Sequence, residues 1–291
     1  MWFRASLKGV SGLSRLSVRF ATGTESSGFT VDRLSGKHEG IVLFRMNRPE
    51  RKNALSRALR ADFDAALDTA RTDRAIRVII LKSDVPNIFC AGADLKERAT
   101  LTEQETASTV YHGRRLMTEI ENLPVPVIAA IDGFALGGGL EMALACDLRT
   151  AADTAKMGLV ETKLAIIPGA GGTQRLSRIV GKALAKELIF TGRVLDGRSA
   201  QELGIVNHSV PQNKSGDAAF QRALELAEEI LPQGPIALRM AKQAVNRGYE
   251  VDISSGLFIE EACYAQVIPT KDRIEGLTAF REKRPPVYKG H

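Results

Sequence analysis

The residues best suited to chemistry stand beside glycine-rich turns. In the stretch IDGFALGGGLEMALACD, residues 131–147, Glu141 follows Gly137, Gly138 and Gly139. The apolar run Val127–Ile131, set off by Pro124 and Pro126, precedes it. This pattern predicts a strand, a glycine turn and a buried helix. Glycine lets a backbone approach a ligand closely. A helix opening near Gly138 presents unpaired N–H groups and the positive end of its dipole. Such N–H groups can hold an oxygen on which negative charge develops. Glu141 falls in the first helical turn among Leu140, Met142, Ala143 and Leu144, and a carboxyl in apolar company is either paired or functional. Taken alone, the stretch also has a structural reading, because helix dipoles favour acids in the first turn.

Two further features accompany it. Ala91, Gly92 and Ala93 form a small-residue loop after Cys90, and Asp94 is placed to cap a following helix. Glu161 closes the strand-like segment Met157–Val160, ahead of a second glycine turn at Pro168–Thr173. The elements that must position these residues follow from periodicity. Strands are expected at Ile41–Met46, Val78–Leu81, Leu148–Ala151 and Ile205–Val210. Ser56 caps a helix reaching Arg71, with Leu59, Phe63, Ala66, Leu67 and Ala70 on one face. Thr102 and Glu105 make a capping box for a helix running to Leu123. From Asp217 to Arg281 the pattern is helical, broken at Pro232–Pro235 and Pro269. The sum is an α/β chain with a helical C-terminal portion.

Composition narrows the function classes. The chain has 291 residues, 44% hydrophobic and 25% charged, as expected of a globular protein. Of its net charge of +6, four units come from Arg4, Lys8, Arg15 and Arg19, so the rest of the chain is nearly balanced. The basic total is therefore weak support for a polyanionic partner. Residues 1–20 are basic, serine-rich and free of acid, with Phe3, Leu7, Val10 and Leu13 at helical spacing, which reads as a mitochondrial transit peptide. Residues 21–37 are small and polar and read as a linker. No run of about 18 apolar residues occurs, so no membrane span is expected. Cys90, Cys146 and Cys263 form no CxxC pair, which fits a reducing compartment. Cys146 and Cys263 read as core, while Cys90, before a glycine loop, is expected to be semi-exposed. His38, His112, His208 and His291 show no metal-ligand spacing and read as surface or loop residues; no metal site is expected.

The glycine turns match neither GxxxxGK[ST] nor a strand-to-helix GxGxxG, and the chain has no GxSxG elbow. The CAGAD loop, the GGGLE turn and Glu161 before LAIIPGAGGTQRL, in that order, resemble the enoyl-CoA hydratase/isomerase, or crotonase, family. The resemblance covers residues 38–291. It implies repeated ββα units over 38–230 and a helical oligomerisation portion over 231–291, assembling as a homotrimer or a dimer of trimers. It also implies an acyl-CoA substrate, no separate cofactor, and a place in leucine or fatty acid degradation in the mitochondrial matrix.

By the same resemblance, the N–H groups of Ala93 and Gly138 form an oxyanion hole for the thioester oxygen. Glu141 is the base that activates water, and Glu161 is the acid that protonates Cα. Lys52 and Ala54, in RPERKNAL, and Ala91, Gly92, Ala93, Asp94, Leu95 and Lys96 line the coenzyme A arm. Lys283 approaches the CoA phosphate, in some relatives from a neighbouring subunit. Two glutamates favour hydration, of a straight-chain enoyl-CoA or of 3-methylglutaconyl-CoA. An isomerase of this family can work with one acid and stays as an alternative. For an acyl group with a second carboxylate, Lys96, Arg98, Arg114 and Arg115 are candidate contacts.

A second alternative is binding of AU-rich RNA, which the resemblance associates with a basic helix. The matching stretch, 51–77, holds Arg51, Lys52, Arg57, Arg60, Arg71, Arg74 and Arg77, but Asp62, Asp64, Asp68 and Asp73 interleave with them. A phosphate-binding face calls for a more continuous run of positive charge.

Overall fold

The structure, a computed structural model, describes residues 28–291 and the backbone of a short strand at Arg15–Val18. That strand, β1, pairs antiparallel with β2 (Phe29–Leu34). Residues 29–34, read from composition as linker, are thus sheet. Phe29, Val31 and Leu34 are buried, and Phe29 packs on Phe63 with ring centroids 4.4 Å apart. The rest of the transit-peptide and linker expectations, residues 1–14 and 19–27, lies outside the described residues.

The chain then repeats one theme: two strands, then helix. β3 (Ile41–Met46) leads to α1 (Arg57–Thr72). β4 (Val78–Ser83) and β5 (Ile88–Cys90) lead to α2 (Leu95–Arg98) and α3 (Glu103–Glu121). β6 (Val127–Ile131) and β7 (Phe134–Leu136) lead to α4 (Gly138–Ala145). β8 (Leu148–Ala152) and β9 (Lys156–Gly158) lead to α5 (Gly172–Val180) and α6 (Lys182–Thr191). β10 (Leu195–Asp196), α7 (Gly197–Glu202), β11 (His208–Val210) and α8 (Ala218–Ile230) complete the core. Three helices close the chain: α9 (Pro235–Gly248), α10 (Ile253–Val267) and α11 (Lys271–Glu282).

In the pairs β4–β5, β6–β7 and β8–β9 the first strand enters a seven-stranded sheet ordered β1-β2-β3-β4-β6-β8-β11. The second enters a four-stranded sheet ordered β10-β9-β7-β5. β5, β7 and β9 run parallel, so their carboxyl ends lie side by side. Ligands commonly bind beyond the carboxyl ends of parallel strands. The loops leaving these three ends carry Ala91–Asp94, Gly137–Gly138 and Glu161. Register carries the alignment into the turns, where Gly137 N–H donates to the Gly158 carbonyl at 2.9 Å.

Packing follows the predicted faces. Ser56 caps α1 through Leu59 N–H, and Phe63 is fully buried between Phe29 and Phe44. Burying such a side chain stabilises the fold by about 2–3 kcal/mol. The capping box of Thr102 and Glu105 is formed. Helix α4 is buried on nearly every side, so its polar ends need partners inside the protein. Arg149 supplies them at its carboxyl end, donating to the carbonyls of Ala143 at 3.2 Å and Cys146 at 2.7 Å, and also to Ile205 at 2.7 Å.

Several expectations are corrected. Cys90 is fully buried, not semi-exposed, because it ends a strand beneath α4; burial pushes its thiol up to about 12. His38 is buried as well, with its ring nitrogen 2.6 Å from Glu228 Oε1. The strand at 157–160 ends at Gly158, and Glu161 opens a 3-10 turn, Glu161–Leu164, instead of closing a strand. The strand expected over 205–210 is confined to His208–Val210.

Candidate active site

The loop after β5 and the RPERKNAL segment lie against each other. Ala91 N–H donates to the Lys52 carbonyl at 3.0 Å, and Leu55 N–H to the Gly92 carbonyl at 2.8 Å. Asn53, buried with a left-handed backbone, fastens this segment to the core. Its amide donates to Ser83 Oγ at 2.8 Å and the Phe89 carbonyl at 3.0 Å, and its oxygen accepts from Arg48 N–H at 2.8 Å. Asp94 is buried and caps α2 by accepting from Lys96 N–H and Glu97 N–H. A short polar side chain between a tight loop and a helix start suits that task. Lys52, Leu95 and Lys96 are exposed along the rim and Ala54 is buried beneath it. Lys283, at the end of α11, is exposed and makes no hydrogen bond or ion pair with these loops among the described residues.

Gly137 takes φ +50°, which favours glycine, and turns the chain from β7 into α4. Two residues later, a Cβ on Gly139 would collide with the carbonyl of Cys90, so α4 rests directly on β5. This close seating brings the two candidate donors together: Ala93 N stands 3.6 Å from where a Cβ on Gly138 would lie. Among the described residues neither N–H is used in a hydrogen bond.

Glu141 and Glu161 flank this pair. Glu141 is buried, and its Oε1 accepts from Ala170 N–H and Gly172 N–H, both at 2.8 Å. The donors belong to the second glycine turn, which the sequence marked as a turn without revealing its purpose. Arg175 holds that turn, donating to the Ala170 carbonyl at 3.2 Å while its other arm meets Glu121 at 2.7 Å. Burial raises the proton affinity of Glu141, and the two N–H bonds oppose the shift. Glu161 lies across Gly137, its Oε1 3.1 Å from the position of a Cβ on that residue. Its Oε2 is buried without a hydrogen-bond partner. Burial, and then the charge of Glu141, push Glu161 up to about 7. Backbone donors thus favour the Glu141 anion against the effect of burial, whereas Glu161 has lost only about half its proton at pH 7.

The structure therefore gathers Ala91–Asp94, Gly138, Glu141 and Glu161 and leaves Lys283 apart. It adds Asn53, Ala170, Gly172 and Arg175 as residues that position the others. A signal for Asn53 lay in its place after a Pro-broken strand, and one for Ala170 and Gly172 lay in the glycines themselves. Arg175, an arginine on a helix, carried none.

Most cations of the basic stretch 51–77 are engaged by neighbouring groups. Arg57 pairs with Glu97 at 3.1 Å, Arg60 donates to the Thr109 carbonyl at 3.3 Å, and Arg71 pairs with Asp68 and Glu119. Arg77 donates to the carbonyls of Leu231 and Gln233.

A buried and a half-buried carboxyl beside two free amides, on segments that follow the strands of successive ββα units, make an acid–base site for a substrate that develops an oxyanion. Residues 36–291 match the family described as enoyl-CoA hydratase/isomerase. The chain belongs to the enoyl-CoA hydratase/isomerase family and is an enzyme of the enoyl-CoA hydratase type. It is 60% identical over 260 residues to the human protein named methylglutaconyl-CoA hydratase, mitochondrial, covering 89% of this chain and 77% of that one. It is 59% identical over 257 residues to the Bos taurus enoyl-CoA hydratase domain-containing protein 2, mitochondrial, covering 88% and 87%. The crystal structure of an enoyl-CoA hydratase from Bacillus anthracis superposes with a TM-score of 0.86 at 47% identity, covering 91% of this chain and 100% of that one.

Proposed function

We propose that this enzyme adds water across the double bond of 3-methylglutaconyl-CoA and related enoyl-CoA thioesters, without a separate cofactor, in the mitochondrial matrix, within leucine or fatty acid degradation. The observation that carries the reading is the division of labour between the two carboxyls. Glu141, held by two N–H donors, suits the base that takes a proton from water. Glu161, which holds its proton up to about pH 7, suits the acid that delivers one to Cα. As the hydroxyl adds at Cβ, the electron pair of the double bond moves toward the thioester oxygen. Ala93 N–H and Gly138 N–H receive that charge. A single donor of this kind contributes about 3 kcal/mol at the transition state. The coenzyme A arm lies along Lys52–Ala54 and Ala91–Lys96. The relatives named as mitochondrial support the location, and the methylglutaconyl-CoA hydratase relative supports the acyl group.

The C-terminal helices serve a homotrimer or a dimer of trimers in this reading. Helix α10 leaves Ile253, Phe258 and Tyr264 exposed, and α11 leaves Phe280 86% exposed. Apolar faces of this extent are normally covered by another surface. Lys283 then reaches a CoA phosphate of a neighbouring subunit.

Hydration of crotonyl-CoA and of 3-methylglutaconyl-CoA, followed as loss of the conjugated thioester absorbance, tests the proposal. Turnover of the branched acidic substrate with higher kcat/KM is the expected result. Turnover of crotonyl-CoA alone would reject the acyl group, and movement of the double bond without uptake of water would favour an isomerase.

A further inference from the structure

A second carboxylate on the acyl group poses an electrostatic problem. In 3-methylglutaconyl-CoA it stands two carbons beyond the carbon that receives the hydroxyl. It must therefore sit close to Glu141 and Glu161. Like charges brought together in a partly dehydrated site repel, unless a cation lacking a carboxylate of its own stands among them.

Most cations of this region are already engaged. Arg114 Nε donates to the Gly169 carbonyl at 3.3 Å. Arg115 lies 3.7 Å from Glu119 and is largely exposed, and Lys96 is exposed on the rim. Arg57, Arg60 and Arg175 are committed to the partners described above.

Arg98 differs from all of these. Its guanidinium makes no hydrogen bond or ion pair among the described residues, and its Nε is buried without a partner. It ends α2, the single helical turn that starts at the Asp94 cap, directly after Ala93. Its charge reaches both glutamates and lowers the proton affinity of each. A partly dehydrated guanidinium without a partner is costly to keep, and a carboxylate entering the site would satisfy it with two parallel N–H bonds.

We propose that Arg98 receives the distal carboxylate of a dicarboxylic enoyl thioester and so sets the preference of this enzyme for acidic, branched acyl groups. The assignment rests on the hydratase reading of the same site.

Wild type, Arg98→Gln and Arg98→Lys are compared in kcat/KM for 3-methylglutaconyl-CoA and crotonyl-CoA. In parallel, inhibition constants are measured for glutaryl-CoA and butyryl-CoA, saturated thioesters with and without the distal carboxylate. Any effect of Arg98 on the glutamates alters both substrates alike, so the ratio isolates the contact. In Arg98→Gln the ratio of kcat/KM values should fall roughly 10- to 100-fold, mostly through KM, as expected for a lost bond between charged groups. Glutaryl-CoA should lose affinity relative to butyryl-CoA by a similar factor, and Arg98→Lys should restore part of both. A ratio that stays within about 3-fold of wild type, with both inhibitors unchanged relative to each other, would overturn the assignment and leave the hydratase reading standing. A wild type that leaves 3-methylglutaconyl-CoA unhydrated would reject the substrate reading and the assignment together, before any variant is compared.

Discussion

Glu161 Oε1 and Gly137 are in such close contact that a single carbon added to the glycine would stand 3.1 Å from the carboxylate oxygen. The backbone there takes φ +50°. Gly137→Ala should therefore act twice. It strains the turn into α4 by about 1–2 kcal/mol and pushes Glu161 from its place. A fall in kcat of roughly 10- to 100-fold is expected, because small displacements of a catalytic group are that costly. Steady-state kinetics and a urea titration measure the two effects.

Gly138→Pro removes outright the N–H proposed as one oxyanion donor. The residue occupies the first position of α4, where proline is tolerated because that N–H has no partner in the helix. A loss of roughly 100- to 1000-fold in kcat is expected, with far-ultraviolet circular dichroism close to wild type. Wild-type activity in this variant would remove Gly138 from the oxyanion hole.

Activity should depend on pH in a direction set by Glu161. In the proposed mechanism its protonated form is the donor to Cα, and its pKa is raised to about 7. Hydration should therefore decline as pH rises through the neutral range and the donor is lost. An acidic limb follows from protonation of Glu141, whose pKa is also raised. The two limbs belong to the coupled pair and appear in kcat/KM. Stability follows the same sign. The folded protein holds the Glu161 proton above the pH at which the unfolded chain has released it, so the contribution of this residue to stability declines as pH climbs from about 4.5 to about 7. Glu161→Gln should flatten that part of the stability profile in urea titrations.

Arg175 touches no reacting atom, yet it ties the Ala170 turn to Glu121. Arg175→Met should loosen the two N–H bonds to Glu141. A decline in kcat of about 10-fold is expected, together with an upward shift of the acidic limb, since fewer donors then favour the Glu141 anion. An unchanged pH profile would reduce Arg175 to a purely structural residue.

Strands β3, β4, β6 and β8 of the larger sheet, with α1 and α3, were legible in the sequence, because their apolar periodicity and caps are local; β2, read as linker, was not. Of the smaller sheet only β9 was, as the strand-like Met157–Val160. Its strands, such as Ile88–Cys90 and Phe134–Leu136, are three residues long and carry too few positions for a period to emerge. Their function is nonetheless to bring three loops to one place, a relation that exists only between segments far apart in the chain. Glu141 and Glu161 were singled out by their glycine neighbours and by the family resemblance, whereas Arg175 acts through tertiary hydrogen bonds that leave no trace in spacing. His38 and Cys90 were misjudged in exposure, since a lone residue in a turn or at a strand end gives no sign of what packs over it.

The most direct measurement is the rate of hydration of 3-methylglutaconyl-CoA by wild type, Glu141→Gln and Glu161→Gln, each with the affinity for a saturated acyl-CoA measured alongside. Each glutamine variant should lose roughly 100- to 10,000-fold in kcat while binding the saturated thioester nearly as well as wild type. Wild-type turnover in either variant would contradict the assignment of these two carboxyls as the acid and base of the reaction.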